Sequence, residues 1–298
     1  MPPADRPLQS VPVAGRSLTT KEDRDRARRE RRRRTVAIST ASTVIVLGAV
    51  AARILTSHGW PLVRDTFFSW TWFKRSIGPV ASDFWLDVRL FLIVEAIVLV
   101  LGLVIALIRT LRAPVLFPLK ILAVVWADVG RGIPTVMLVY IVGFGLPALQ
   151  LSGIPTSAAT LGGIALSFSY AAYVSEVYRA GILSIHPSQG AAALALGLTR
   201  RQSLRHVVLP QAIRRVLPPL LNDFISLQKD VALVSVLGGA SEALRQAQVQ
   251  EALAFNFTPL MAAALLYLCV TIPFTRIVDH LQLRQVRRQG GALALGPR

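Results

Sequence analysis

The sequence predicts an all-α membrane protein with six transmembrane helices. Three observations lead there. Of the 298 residues, 53% are hydrophobic and only 16% charged, where a soluble chain carries about a quarter charged residues. The apolar residues are gathered into runs, and a helix of roughly 17–25 such residues crosses a bilayer core. Lysine and arginine fall almost wholly in alternate loops, the pattern that orients membrane helices. Backbone groups facing lipid find no water, so each run must satisfy its own hydrogen bonds as a helix.

Residues 1–35 form a basic tail built around RDRARRERRRR and are expected to be disordered. Residues 36–55 hold the first span, Val36–Ala52 closed by Arg53. It is read as retained rather than cleaved, because the polar region before it is far longer than that of a signal peptide. Residues 56–85 are expected as a loop rich in tryptophan and phenylalanine, residues that suit a membrane–water interface. The second span is Leu90–Ile108. The third runs from Trp126 to Pro147, with Asp128 and Arg131 as helical neighbours and Pro134 expected to bend it. The fourth is Ala158–Ser175, the fifth Val216–Gly238 and the sixth about Pro259–Thr275; a basic tail, 283–298, closes the chain.

Six spans place both ends on one side. The loops and tails of that side hold 25 Lys and Arg, and those of the other side hold 4. This asymmetry assigns both termini, and the long loop 176–215, to the cytoplasm of a multi-pass cell-membrane protein. The formal net charge of +17 is therefore read as membrane anchoring against lipid, not as a nucleic-acid surface. His58, His186, His206 and His280 lack ligand spacing, so no metal site is expected. Cys269 is read as a small core residue.

The 176–215 loop carries its own helix punctuation. Pro187 interrupts the preceding helix, Ser188 is placed to cap a new one, and Gly197 is placed to end it in a left-handed conformation. Thr199 and Gln202 form the T-x-x-Q pattern of a capping box, and the helix they start is expected to stop at Pro210. The unit is a short helix, a glycine turn and a second helix, hung between two spans.

This loop resembles the E-A-A loop of ABC importer membrane subunits, in Ala191-Ala192-Ala193, Gly197 and Val207-Val208-Leu209-Pro210. The flanks resemble the polar amino-acid uptake branch: Glu176–Gly181, Pro210–Pro219, Phe224–Asp230 and Arg131-Gly132-Ile133-Pro134. The resemblance implies a type I permease core of five helices over residues 86–282, plus one extra N-terminal helix. It implies that Ser188, Ala191, Ala192, Gly197, Thr199, Arg205 and Pro210 belong to an element that couples to a cytoplasmic ATPase. It further implies a second permease subunit and an extracytoplasmic amino-acid-binding protein. The chain has no G-x-x-x-x-G-K-[ST], so it is not expected to be the ATPase itself; the resemblance implies ATP and Mg on the partner ATPase, and no cofactor is expected on this chain. The family's glutamate is Ala191 here, a loss expected to weaken the first helix's cap, and Arg200, Arg201 or Arg205 are candidates for replacement contacts.

Polar residues inside the spans mark a translocation path, a gate or structural pairs. In the fifth span Asn222, Asp223, Ser226, Lys229 and Asp230 share an arc of about 120° on a helix. Glu95 is a candidate partner for Lys229, and Tyr170 and Tyr173 are further candidates on the path. An ion-driven carrier using Glu95, Lys229 and Asp230 as a relay is the alternative transporter. A membrane-tethered DNA-binding regulator is the alternative of another class, disfavoured because both ends of the helix–turn–helix enter the membrane.

Overall fold

The computed structural model describes residues 21–110 and 113–293, with side chains described from 33 to 110 and from 113 to 284. Arg112 of the first basic loop, and residues 1–20 and 294–298 of the tails, lie outside the described residues. By its contacts the chain divides into two units, residues 1–62 and 63–298.

The first unit contains helix α1, Lys21–Leu55. It starts well before the apolar run, so residues 21–35 are helical rather than disordered. Their arginine, glutamate and alanine are good helix formers, and a following apolar span gives them a template to extend. Arg33–Leu55 is long and apolar enough to cross a membrane.

In the second unit, α2 (Trp60–Phe67) and α3 (Trp70–Thr110) replace the expected loop 56–85. Aromatic residues occupy helical turns, and Pro79 is accommodated within α3. The next helices are α4 (Phe117–Gly132), α5 (Thr135–Ala148) and α6 (Ala158–Leu183). Then come α7 (Pro187–Ala195), α8 (Arg200–Ser203), a π-helical turn over Leu204–Val208 and α9 (Leu209–Asp230). A 3₁₀ stretch, Val231–Leu237, precedes α10 (Ala243–Ala254) and α11 (Thr258–Leu293).

Among the described residues four helical stretches are long and apolar enough to span, against the six expected: Arg33–Leu55, Trp60–Thr110, Ala158–Leu183 and Thr258–Arg284. The pair α4 and α5, bent by 111° between Gly132 and Thr135, makes a fifth if it is counted as one broken span. Pro134 lacks the N–H that would continue the helix, and it breaks there as expected. The expected fifth span, Val216–Gly238, is not one apolar helix. Its first part belongs to the amphipathic α9, and its second is 3₁₀ up to Gly238 at φ +74°.

The break in α4–α5 is repaired from α6. Ser169 Oγ donates to the Gly130 carbonyl at 3.3 Å and lies 3.2 Å from Thr135 Oγ1. The Tyr173 hydroxyl donates to the Arg131 carbonyl at 3.3 Å. Freed backbone groups in a membrane must find such partners. Close approach of the helices makes this possible: a Cβ on Gly130 would lie 2.6 Å from that of Ala172.

The main core lies where α3, α6, α9 and the 3₁₀ stretch meet: Phe91, Val94 and Val98 against Leu166, Tyr170 and Val174, and against Leu227, Val231 and Val234. The i, i+3/i+4 spacing on each helix puts these residues on one face. Val234 packs so close to Gly162 that a Cβ there would sit 2.5 Å from its methyl group. Cys269, expected in a core, is exposed on α11; the face that packs inward instead carries Ala262 and Ala263.

Candidate functional site: the loop between α6 and α9

Helix α6 ends at Leu183, and Pro187 occupies the first turn of α7. Proline is pre-set for that place and its missing N–H is no loss there. The cap therefore falls on His186, not on Ser188: His186 Nδ1 accepts from the Ser188 N–H at 3.2 Å and lies 2.8 Å from Ser188 Oγ. The shift moves Ala191 beyond the third position of α7. A glutamate at 191 would thus not complete a capping box, and its absence costs no helix cap.

Gly197 ends α7 as expected, at φ +87°. The Leu198 N–H bonds the Ala193 carbonyl at 3.2 Å and the Gly197 N–H bonds Leu194 at 3.0 Å. These crossed bonds are the Schellman arrangement, which uses carbonyls a helix end leaves free. Thr199 and Gln202 form the expected reciprocal capping box.

The second helix does not stop at Pro210. Leu209 N–H bonds back to the Leu204 carbonyl, five residues earlier, and the chain continues helically to Asp230. The π turn lets the helix absorb a proline that has no N–H to donate. Arg200 to Asp230 is therefore one continuous rod from loop to bundle. Ser203, buried, donates to the Gly190 carbonyl at 3.4 Å, and Gln211 bonds Gln189 at 3.4 Å, so α7 is fixed against this rod.

Above the loop, Glu176 gathers arginines from several helices. It meets Arg109 at the end of α3 at 2.9 Å, Arg131 of α4 at 3.8 Å and Arg179 one turn along α6. Arg131 also pairs with Asp128 at 3.4 Å, as its spacing implies. The Arg109–Glu176 pair joins residues far apart in sequence, so no local pattern signals it. A cavity of about 640 Å³ opens beside this cluster, lined by Arg131, Tyr173, Glu176, Arg215 and Asp223 among others. Arg215 also donates to the Ser184 carbonyl, tying the rod to the end of α6.

The polar residues of α9 divide by face. Leu227 and Gln228 are buried, and Gln228 accepts from Thr271 of α11 at 2.7 Å, a contact the sequence did not signal. Asn222 and Lys229 are exposed, with Ser226 between the two environments. Tyr170 donates to Asp230 at 2.8 Å, where α9 gives way to the 3₁₀ stretch. Glu95 does not pair with Lys229. It lies within electrostatic reach of Asp223, and Lys229 makes no ion pair among the described residues. No group of three or more His, Cys, Asp or Glu fit to hold a metal occurs among the described residues.

At the opposite end of α9, Glu242 caps α10 with only 1% of its surface exposed. It accepts from the N–H groups of Leu244 and Arg245. Burial, with the nearby charge of Asp87 second, pushes its carboxyl up to about 7. Asp87 of α3 accepts from the Ala243 N–H at 3.3 Å and from the Tyr267 hydroxyl at 2.9 Å. These contacts fasten α10 between α3 and α11.

Residues 98–287 match the family described as binding-protein-dependent transport system inner membrane components. The chain belongs to that family. Among relatives of this permease is the arginine transport system permease protein ArtQ of Bacillus subtilis (strain 168), 38% identical over 189 residues, covering 62% of this chain and 83% of the relative. Another is the glutamine transport system permease protein GlnP of Escherichia coli (strain K12), 38% identical over 165 residues, covering 54% of this chain and 74% of the relative. A crystal structure of an amino acid ABC transporter with histidines superimposes with a TM-score of 0.62 at 32% identity, over 70% of this chain and 94% of that one. The chain is thus a multi-pass ABC permease subunit, and ATP hydrolysis is the work of a separate subunit.

Proposed function

We propose that this permease carries polar amino acids inward across the cell membrane, driven by ATP hydrolysis on a partner and supplied by an extracytoplasmic binding protein. The observation that carries the reading is the loop: α7, the Gly197 turn and the rod from Arg200 to Asp230 link an exposed cytoplasmic element to the polar face of α9 without a flexible joint. Named relatives that transport arginine and glutamine support the substrate class.

In this reading α7 is the coupling helix, and Ser188, Ala191, Ala192, Gly197, Thr199, Arg205 and Pro210 shape or seat it. When the ATPases close, the rod moves with α7 and shifts Asn222, Ser226, Lys229 and Asp230 against Tyr170, Tyr173 and Glu95, a change between two packings. The exposed Asn222 and Lys229 cannot face lipid cheaply. A second permease subunit across a shared aqueous path gives them a place. The α9–3₁₀ segment then completes the crossing set, both termini are cytoplasmic in keeping with the arginine count, and residues 86–282, which follow α1 in sequence, form the five-helix core.

The test is uptake of labelled amino acids into proteoliposomes holding the permease, its ATPase and its binding protein. Uptake that needs all components and ATP supports the reading. Uptake that survives removal of the ATPase and collapses with an uncoupler overturns it.

A further inference from the structure

The loop between α6 and α9 has an unusual charge. The stretch 177–222, the loop together with the adjoining parts of α6 and α9, holds six arginines and no aspartate or glutamate. Arg179 is spent on Glu176, and Arg215 donates to the Ser184 carbonyl. Arg200, Arg201 and Arg205 are exposed, and their guanidinium groups make no ion pair among the described residues. Arg201 and Arg205 are four residues apart on the same rod, hence neighbours on its surface.

Beside them stand large apolar side chains in the open. Leu196 is 84% exposed, Leu204 56% and Leu194 43%. Leu194 and Leu196 stand just before the Gly197 turn. The Ser203–Gly190 and Gln211–Gln189 bonds hold α7 to the rod, so leucines and arginines are kept in fixed relation to one another rather than on independent tips. A rigid apolar patch rimmed by one sign of charge marks a protein interface.

We propose that the partner surface receiving α7 is an apolar groove rimmed by carboxylates, which Arg200, Arg201 and Arg205 select by charge. This rests on the reading of the loop as the ATPase-docking element and adds what that ATPase must present. Leu196 and Leu194 fill the groove, and the arginines fix register and reject grooves rimmed by lysine or arginine, since like charges brought together cost several kcal/mol. An anionic lipid surface fits less well. The exposed leucines lie at the turn midway along the loop, with the most chain between them and either span.

The test is retention of the co-expressed ATPase by the full-length permease in detergent. Wild-type retention is expected to fall steeply as salt rises past physiological strength, where the screening length is about 8 Å. Arg200→Glu/Arg201→Glu/Arg205→Glu should lose at least about tenfold in retention, and Arg substitutions at the carboxylates of the ATPase groove should restore it; tenfold is about 1.4 kcal/mol. Arg200→Gln/Arg201→Gln/Arg205→Gln, with an unchanged melting temperature, should lose less, which separates charge from misfolding. Undiminished retention by the glutamate triple variant, or no rescue by the swapped ATPase, overturns the proposal. So does arginine-dependent binding of the permease to phosphatidylglycerol vesicles with ATPase retention unaltered. Failure of the underlying reading looks different: Leu196→Asp would then leave retention intact as well.

Discussion

Gly197 is the residue whose replacement tests the coupling reading most directly. Its φ of +87° is left-handed, and a Cβ built there meets nothing within 4 Å. Strain, not a clash, is therefore the whole local effect. A side chain in this region costs about 1–2 kcal/mol, and asparagine is among the residues that visit it routinely. The crossed bonds of Leu198 to Ala193 and of Gly197 to Leu194 exist only in this conformation. Gly197→Leu should reduce the population of the seated turn by a factor of about 5–30, whereas Gly197→Asn should keep most of it. The assays are ATPase retention on the purified permease and transport-coupled ATP hydrolysis in proteoliposomes. Leucine should impair both, asparagine much less, and the melting temperature of the membrane bundle should stay constant. If leucine and asparagine behave alike, or leucine leaves both readouts at wild-type level, the turn does not transmit motion.

Three further outcomes are expected. Glu242 has its carboxyl raised to about 7 from an ordinary 4.5, so the native state binds that proton more tightly than the unfolded chain. Its contribution is complete below about pH 4.5 and is lost as pH rises through about 7; melting temperature should fall between about pH 4.5 and pH 7 and level off above about pH 8, and Glu242→Gln should flatten the decline. Ser169→Ala strips a hydrogen bond from the Gly130 carbonyl at the break in α4–α5. It should destabilise the bundle by about 1 kcal/mol, read as lower thermal stability in detergent, while Ser169→Thr retains the hydroxyl and more of the stability. Tyr170→Phe removes the bond to Asp230 and should cost about 1–3 kcal/mol through the carboxylate it leaves without that donor; transport rate should drop more than ATPase retention, and equal loss of both would argue for general misfolding.

The sequence determined most of the candidate spans, because burying a backbone without water forces long apolar runs that are visible without a structure, but it did not foresee the helices over 60–85 or the break of Val216–Gly238 into an amphipathic helix and a 3₁₀ stretch. It determined the punctuation of the loop for the same kind of reason. Gly197 and the Thr199–Gln202 capping box act over a few residues, and local chemistry decides them. Tertiary structure decided everything that depends on distant partners. Pro210 was carried through a π turn, and the helix went on to pack α7 and join α9; the cap on His186, by contrast, is set locally by Pro187. Glu95 and Lys229 were separated, since their helices meet on the faces that bury Phe91, Val94 and Leu227 rather than the faces that carry these charges. The Arg109–Glu176 pair, the Gln228–Thr271 bond and the Asp87–Ala243 bond that fastens α10 join residues that no local period connects. The punctuation of the loop was therefore legible in the sequence, and the contacts that hold α7 to the helix continuing into α9 were not.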